Sequence, residues 1–231
     1  MYKHIFFDLD HTLWDFEQNS KEALHEIFID FKLEKLLHCS FTEFINVYHQ
    51  INHAYWDDYK KGKVTREKLR NGRFHDTLSF FQISNNTLGI ALSESYISRS
   101  PYKTQLFEGA IRVLDYLKHK NYALHIITNG FNEVQFIKLT ESGLLPYFLT
   151  ITTSEHAGYN KPDEKIFEHA LAQAAAKKHE SIMIGDNIEA DIVGAIQFGI
   201  DAIWFNPNKD VHHSNERFHT IHHLLELEEI F

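Results

Sequence analysis

The chain predicts an α/β fold, a doubly wound parallel sheet interrupted by an inserted set of helices, and two features of its 231 residues point there. Short runs of β-branched and other apolar residues recur along it, each stopping at a polar residue or a glycine, which is the pattern of strands buried on both faces. Helical periodicity fills the intervals between these runs, but one interval is far too long for a single crossover.

The expected strands are Ile5-Phe6-Phe7 before Asp8, Leu124 to Ile127 before Thr128, Leu149 to Thr152, Ile182 to Ile184 before Gly185, and Ala202 to Phe205. Helical spacing links Ile111, Leu114 and Leu117, then Ile166, Ala170 and Leu171, then Ile188, Ile192, Ala195 and Ile196. Gly143 and Gly199 stand where a left-handed C-cap is wanted. A strand–helix–strand unit takes about 30 residues, and Asp8 and Thr128 lie roughly four times that far apart. The excess reads as helix. Phe16, Ala23, Leu24, Ile27 and Phe31 form one stripe, and Phe41, Phe44, Ile45, Tyr48 and Tyr55 a second. Phe74, Leu78 and Phe81 mark a third helix and Leu88 to Ile97 a fourth, while Ser40 to Glu43 has the form of a capping box. These patterns predict a core domain of residues 1–15 and 101–231 and a helical cap of residues 16–100, with Pro101 at the return.

Composition narrows the functions. One cysteine, Cys39, excludes an internal disulfide and suits a reducing cytoplasm. The first residues lack the long apolar stretch of a signal peptide or membrane helix, so no membrane association is expected. A formal charge of -9 argues against binding a nucleic-acid backbone and requires local cations to hold any anionic ligand. The 17 histidines are scattered without metal-ligand spacing. His212-His213 and His222-His223 read as solvated residues of a polar tail and a C-terminal helix, not as zinc ligands.

Four polar constellations follow the apolar runs. In Phe7-Asp8-Leu9-Asp10-His11-Thr12-Leu13, alternate side chains of an extended chain share a face, so Asp8 and Asp10 can point together. Two close carboxylates are tolerated when a divalent cation sits between them or one keeps a proton, which suits Asp8 as a nucleophile and Asp10 as a general acid and base. Thr128-Asn129-Gly130 supplies a hydroxyl, an amide and backbone N–H groups for phosphate oxygens. Asn160-Lys161-Pro162-Asp163 places Pro162 at a first helical position and Lys161 at a helix N-terminus, where an anion is favoured. Gly185-Asp186-Asn187-Ile188-Glu189-Ala190-Asp191 offers Asp186 as a hard oxygen ligand for magnesium and Asp191 to orient a water or Lys161. Each motif alone is an ordinary turn or helix start. Together they fall at the C-terminal ends of successive parallel strands, the edge where open α/β sheets place their sites.

On these motifs the chain resembles the haloacid dehalogenase-like hydrolase superfamily, with a Rossmann-like core. The resemblance implies Mg2+ held by Asp8, the backbone carbonyl of Asp10 and Asp186, with Thr12, Asn187 and Asp191 supporting them. It implies phosphate binding by Thr128, Asn129 and Lys161, and an aspartyl-phosphate on Asp8. The pair of aspartates is that of the family's phosphatases; the dehalogenating members lack the second. A closer resemblance, through Phe6 to Asp15 and the stretch from Tyr55-Trp56 to Arg73-Phe74, is to pyrimidine 5′-nucleotidases of the YjjG type, which implies a nucleoside monophosphate as the small-molecule partner. Sugar-phosphate or phosphoglycolate phosphatase, phosphoglucomutase-type transferase and a phospho-accepting signalling domain are the rival readings. Lys60, Lys61, Lys63, Arg66, Lys68, Arg70 and Arg73 form a basic cluster that either draws anionic nucleotides or is a solvated helix face. Trp14, Phe16, Trp56 and Phe74 either stack on a base or pack inside the protein.

Overall fold

The strands expected from the sequence form one sheet. In the computed structural model, which describes residues 2–211 and 218–231, β1 is His4–Phe7, β2 Ala123–Thr128, β3 Thr150–Thr153, β4 Ser181–Gly185, β5 Asp201–Phe205 and β6 His219–Ile221. All neighbours run parallel in the order β3-β2-β1-β4-β5-β6. The chain therefore winds outward from β1 to β3 and then jumps back across β1 to continue on its other side. The switch of direction lies between β1 and β4, whose ends Phe7 and Ile184 are in register. His212-His213 lies outside the described residues.

Alternation along β1 distributes its side chains to two cores. Ile5 and Phe7 join Leu114, Ile126, Ile184 and Ile203 on one face, while Phe6 joins Ile127, Phe167, Met183 and Ala195 on the other. Helices cover both faces, which satisfies the apolar demand of an all-parallel sheet. The helices Ala110–His119, Glu164–Gln173 and Gly194–Phe198 lie where periodicity puts them, and Gly199 ends the last at a φ of 99°. Before it, Ile188–Val193 winds as a wider π-helix in place of a regular α-turn.

Three details depart from expectation. Pro162 does not open a helix; Asp163 is the N-cap, its side chain accepting from the Lys165 N–H, and the helix begins at Glu164. A carboxylate acceptor two residues on satisfies a free N–H more directly than proline can. His222 and His223 precede the final helical turns, with His223 as an N-cap, because its ring accepts from the Leu225 N–H. β6 has no apolar run of its own and forms through pairing with β5.

The chain divides into two compact units, Met1–Phe16 with Thr104–Phe231, and Glu17–Lys103. The second is built from the helices Phe16–Asp30, Leu33–Leu37, Phe41–Lys60, Arg66–Phe80 and Asn86–Arg99 around Leu24, Ile27, Phe44, Tyr48, Phe74 and Leu92. Ser40 and Glu43 form the expected capping box, of the kind that contributes about 1 kcal/mol. Of the basic cluster, Lys61, Lys63 and Lys68 are exposed, whereas Arg73 is buried against the Tyr96 ring at 4.9 Å and donates to Asn52. Phe74 is core, as are Cys39 here and Trp14 in the first unit. No helix among the described residues is long and apolar enough to cross a membrane.

β2 also buries a histidine. His125 is 1 % exposed, shares a hydrogen bond with Thr150 at 2.8 Å, lies 3.1 Å from the His4 ring nitrogen and stacks on Phe6. Burial, with a smaller contribution from His4, lowers its pKa to about 4. Between that value and the ordinary 6.5 the unfolded chain binds a proton that the native state does not. The contribution of His125 to stability is therefore complete above pH 6.5 and falls by about 3 kcal/mol as the pH drops through this window. Urea unfolding of wild type and His125→Phe across pH 4–8 checks this, since the substitution is expected to flatten that part of the profile.

Candidate active site

The site grows out of the ends of β1 and β4, the two strands that flank the switch point and the place where such sheets bind ligands. Asp8 follows β1 directly, with its N–H bonded to the Ile184 carbonyl of β4 at 2.9 Å. Asp186 follows β4 and is half-buried. Asn187 caps the π-helix by accepting from the Ala190 N–H, and its own N–H donates to Asp191 at 3.0 Å. That folded-back turn returns Asp191 to the strand end. A Cβ at Gly185 would collide with the Asp191 carboxylate, so the close approach requires glycine.

Lys161 reaches into this group from the far side. Its ammonium is 2.6 Å from Asp8 Oδ1, 2.6 Å from Asp191 Oδ1 and 2.6 Å from the Ile127 carbonyl, with the side chain 2 % exposed. The contact to Asp191 is an ion pair only, for Asp191 Oδ1 receives no directed hydrogen bond. A lysine after an exposed loop ordinarily stays in water; this one is held inside by Asn129. The Asn129 side chain donates to the Lys161 carbonyl and accepts from its N–H, at 3.0 and 2.8 Å. The Asn129 side-chain amide is thus engaged with the Lys161 backbone. Thr12 is fully buried and its hydroxyl donates to Asp186 at 3.4 Å.

Asp8, Asp186 and Asp191 each offer a carboxylate oxygen, all within 4.8 Å of one another. Burial, above every other influence, pushes Asp8 up to about 7 against the pull of Lys161. Asp186 is raised well above its usual value by burial and then by the charges of Asp191 and Asp8. Burial opposes the Lys161 charge, yet Asp191 and Asp8 outweigh it and hold the ammonium above the ordinary lysine range. Three mutually repelling acids share one cation. A cluster of hard oxygen donors with an excess of negative charge suits a divalent cation such as magnesium.

Asp10 belongs to a second group. The chain turns at His11, whose φ is 63°, and returns through Trp14, so the Asp10 carboxylate faces the helix Asn132–Glu141. Lys138 binds its Oδ1 at 2.5 Å, and Gln135 Nε2 donates to its Oδ2 at 2.9 Å and to the Thr128 hydroxyl at 2.6 Å. Thr128 is nearly inaccessible, and its hydroxyl accepts from the Gly130 N–H as well. Gln135 and Lys138, three residues apart on one helix face, were not anticipated from the sequence. Polar residues at helical spacing read as solvent-facing, and only the strand-end chemistry around Asp10 gave a signal that partners were needed.

A family model described as haloacid dehalogenase-like hydrolase matches residues 5–205. The chain belongs to the haloacid dehalogenase-like hydrolase family. Among curated members it is 34% identical over 214 residues to the pyrimidine 5′-nucleotidase PynA of Streptococcus pneumoniae, covering 92% of this chain and 87% of that one. It is 33% identical over 204 residues to the pyrimidine 5′-nucleotidase YjjG of Escherichia coli, covering 87% and 85%. More distant relatives are sugar-phosphate phosphatases. The crystal structure of the HAD-hydrolase YfnB of Bacillus subtilis bound to magnesium superposes with a TM-score of 0.88 at 29% identity, covering 99% of this chain and 98% of that one. The chain is thus an enzyme of the phosphatase kind within the haloacid dehalogenase-like hydrolases, and the fold matches the expectation from its strand pattern.

Proposed function

We propose that the protein is a magnesium-dependent phosphomonoesterase that hydrolyses pyrimidine nucleoside 5′-monophosphates through an aspartyl-phosphate on Asp8. The observation that carries the chemistry is the buried Asp8 carboxylate, paired with Lys161 beside Asp186 and Asp191 at the switch point. The relatives named above support the substrate.

Asp8 attacks phosphorus in line with the departing ester oxygen, and the Lys161 ammonium offsets charge on the phosphoryl group, since charge stabilisation and positioning do most of the work in this transfer. Asp10 gives a proton to the leaving oxygen and then takes one from the water that opens the aspartyl-phosphate. Asp8, Asp186, Asp191 and the Asp10 carbonyl would hold the magnesium ion, which supplies further charge neutralisation at the phosphoryl oxygens. Thr12 and Asn187 keep Asp186 and Asp191 in place, and Thr128 offers its hydroxyl to phosphate. The helical unit acts as the family's cap.

The test is phosphate release with magnesium across nucleoside monophosphates, sugar phosphates and phosphoglycolate, repeated after chelation. UMP, CMP and TMP are expected to be cleaved in preference to the rest, and only with metal. Preference for a sugar phosphate would overturn the substrate; release only with a bisphosphate activator would favour the mutase reading, and no release at all the phospho-accepting one.

A further inference from the structure

Asp10 is held more firmly than a proton-transfer group needs to be for packing alone. Its carboxylate keeps 21% side-chain exposure, yet Lys138, its partner at Oδ1, is only 4% exposed. An exposed ion pair contributes little. A buried ammonium pays a desolvation cost and persists only with close partners. Here the second partner is the Trp14 ring, whose centroid is 4.1 Å from the Lys138 nitrogen, with Phe16 at 5.5 Å. Trp14 is placed by its bridges to Asp10 and Leu106, so the segment that carries the carboxylate also carries the floor for its cation. Gln135 is fully buried and shares one amide nitrogen between Asp10 Oδ2 and Thr128. A Cβ at Gly130 would overlap the Gln135 side chain, so the loop after β2 is cut to admit it.

We propose that Lys138 and Gln135 are positioning residues for Asp10, fixing its carboxyl plane so that Oδ2 delivers the proton to the leaving group. Lys138 occupies Oδ1. Gln135 donates to one lone pair of Oδ2 and leaves its other position for the mobile proton. In the first step a bond forms between an Asp8 oxygen and phosphorus while the bond from phosphorus to the ester oxygen breaks. The electron pair of that bond stays on the ester oxygen, which takes the proton from Asp10 Oδ2. The products are a neutral alcohol, an aspartyl-phosphate and an Asp10 carboxylate facing the Lys138 ammonium.

The inference rests on the phosphatase reading, and leaving-group dependence separates the two. A nucleoside alkoxide needs a proton as it departs; p-nitrophenolate does not. Because kcat/KM includes no step after aspartyl-phosphate formation, it excludes the later role of Asp10 as a base, and the ratio between the two esters isolates its role as an acid. Lys138→Met is expected to lower the ratio of kcat/KM for UMP to that for p-nitrophenyl phosphate by about 30-fold, within the range that general acids contribute. Lys138→Arg, which keeps the charge and the ring contact, restores most of the ratio. Gln135→Leu lowers it by about 10-fold and carries the same comparison if Lys138→Met does not fold. Equal proportional losses on both esters, or a ratio unchanged in Lys138→Met and Gln135→Leu alike, would overturn the assignment. Wild-type protein that cleaves neither ester would overturn the phosphatase reading, and this inference with it.

Discussion

Asp8→Asn protein is expected to release phosphate at least about 10⁴-fold more slowly than wild type, the scale of loss when a covalent nucleophile is removed. The amide has the size of the carboxylate but no electron pair basic enough to displace an alkoxide from phosphorus. The fold should survive. Lys161 keeps Asp191 and the Ile127 carbonyl as partners, and one charge is removed from a group that holds three acids to one cation. Since burial already pushes Asp8 up to about 7, replacing it by a neutral group relieves a cost in metal-free protein. The melting temperature without metal is expected to hold or rise as activity disappears. Activity above a tenth of wild type would end the covalent mechanism.

Lys161→Met should have the opposite balance, with a large loss of stability beside the loss of turnover. It leaves Asp8 and Asp191 facing each other inside the protein with no cation, and breaking a buried pair in this way costs about 3–5 kcal/mol. The sign of the pH dependence is fixed by the same groups. Without Lys161 the Asp8 carboxylate is harder still to ionise, so the penalty is greatest at pH 8, where it would be charged. It shrinks as acid protonates Asp8. Urea unfolding with chelator at pH 8 and pH 5 reads this directly; a penalty that is equal at both values, or smaller at pH 8, would mean that the ion pair contributes nothing to the stability of the buried group.

Where the sequence was informative, one physical regularity was at work. Ile5-Phe6-Phe7, Leu124 to Ile127 and Ile182 to Ile184 are apolar because both faces of the sheet are covered, and the first polar residue after each marks the strand end that carries chemistry. Asp8, Thr128 and Asp186 were legible for that reason. Lys161 was legible as a cation near the site, but its depth was not, since burial depends on the Asn129 clamp, which joins residues far apart in the chain. Asp10 was legible as a carboxylate and illegible as to its neighbours. Gln135 and Lys138 look like a solvent face, and the Trp14 ring that makes a buried ammonium tolerable comes from another element. The π-turn at Ile188–Val193 was hidden as well, because one extra residue in a turn leaves the apolar spacing of Ile188, Ile192 and Ile196 nearly unchanged. β6 escaped because His219-Thr220-Ile221 owes its conformation to β5.

The order of the strands also dictates when the protein can become active as it is made. β1 leaves the ribosome before the other strands, but the neighbour that is followed by Asp186 comes much later in the chain, and Glu17–Lys103 emerges in between. That helical stretch is rich in local contacts and can form early, whereas parallel pairing across so long a loop must wait for the loop to close. A nascent chain lacking β4 therefore carries Asp8 without Asp186 and Asp191, and these groups and Lys161 meet only after β4 has emerged. Assembly of the proposed site is in this sense a late event of folding.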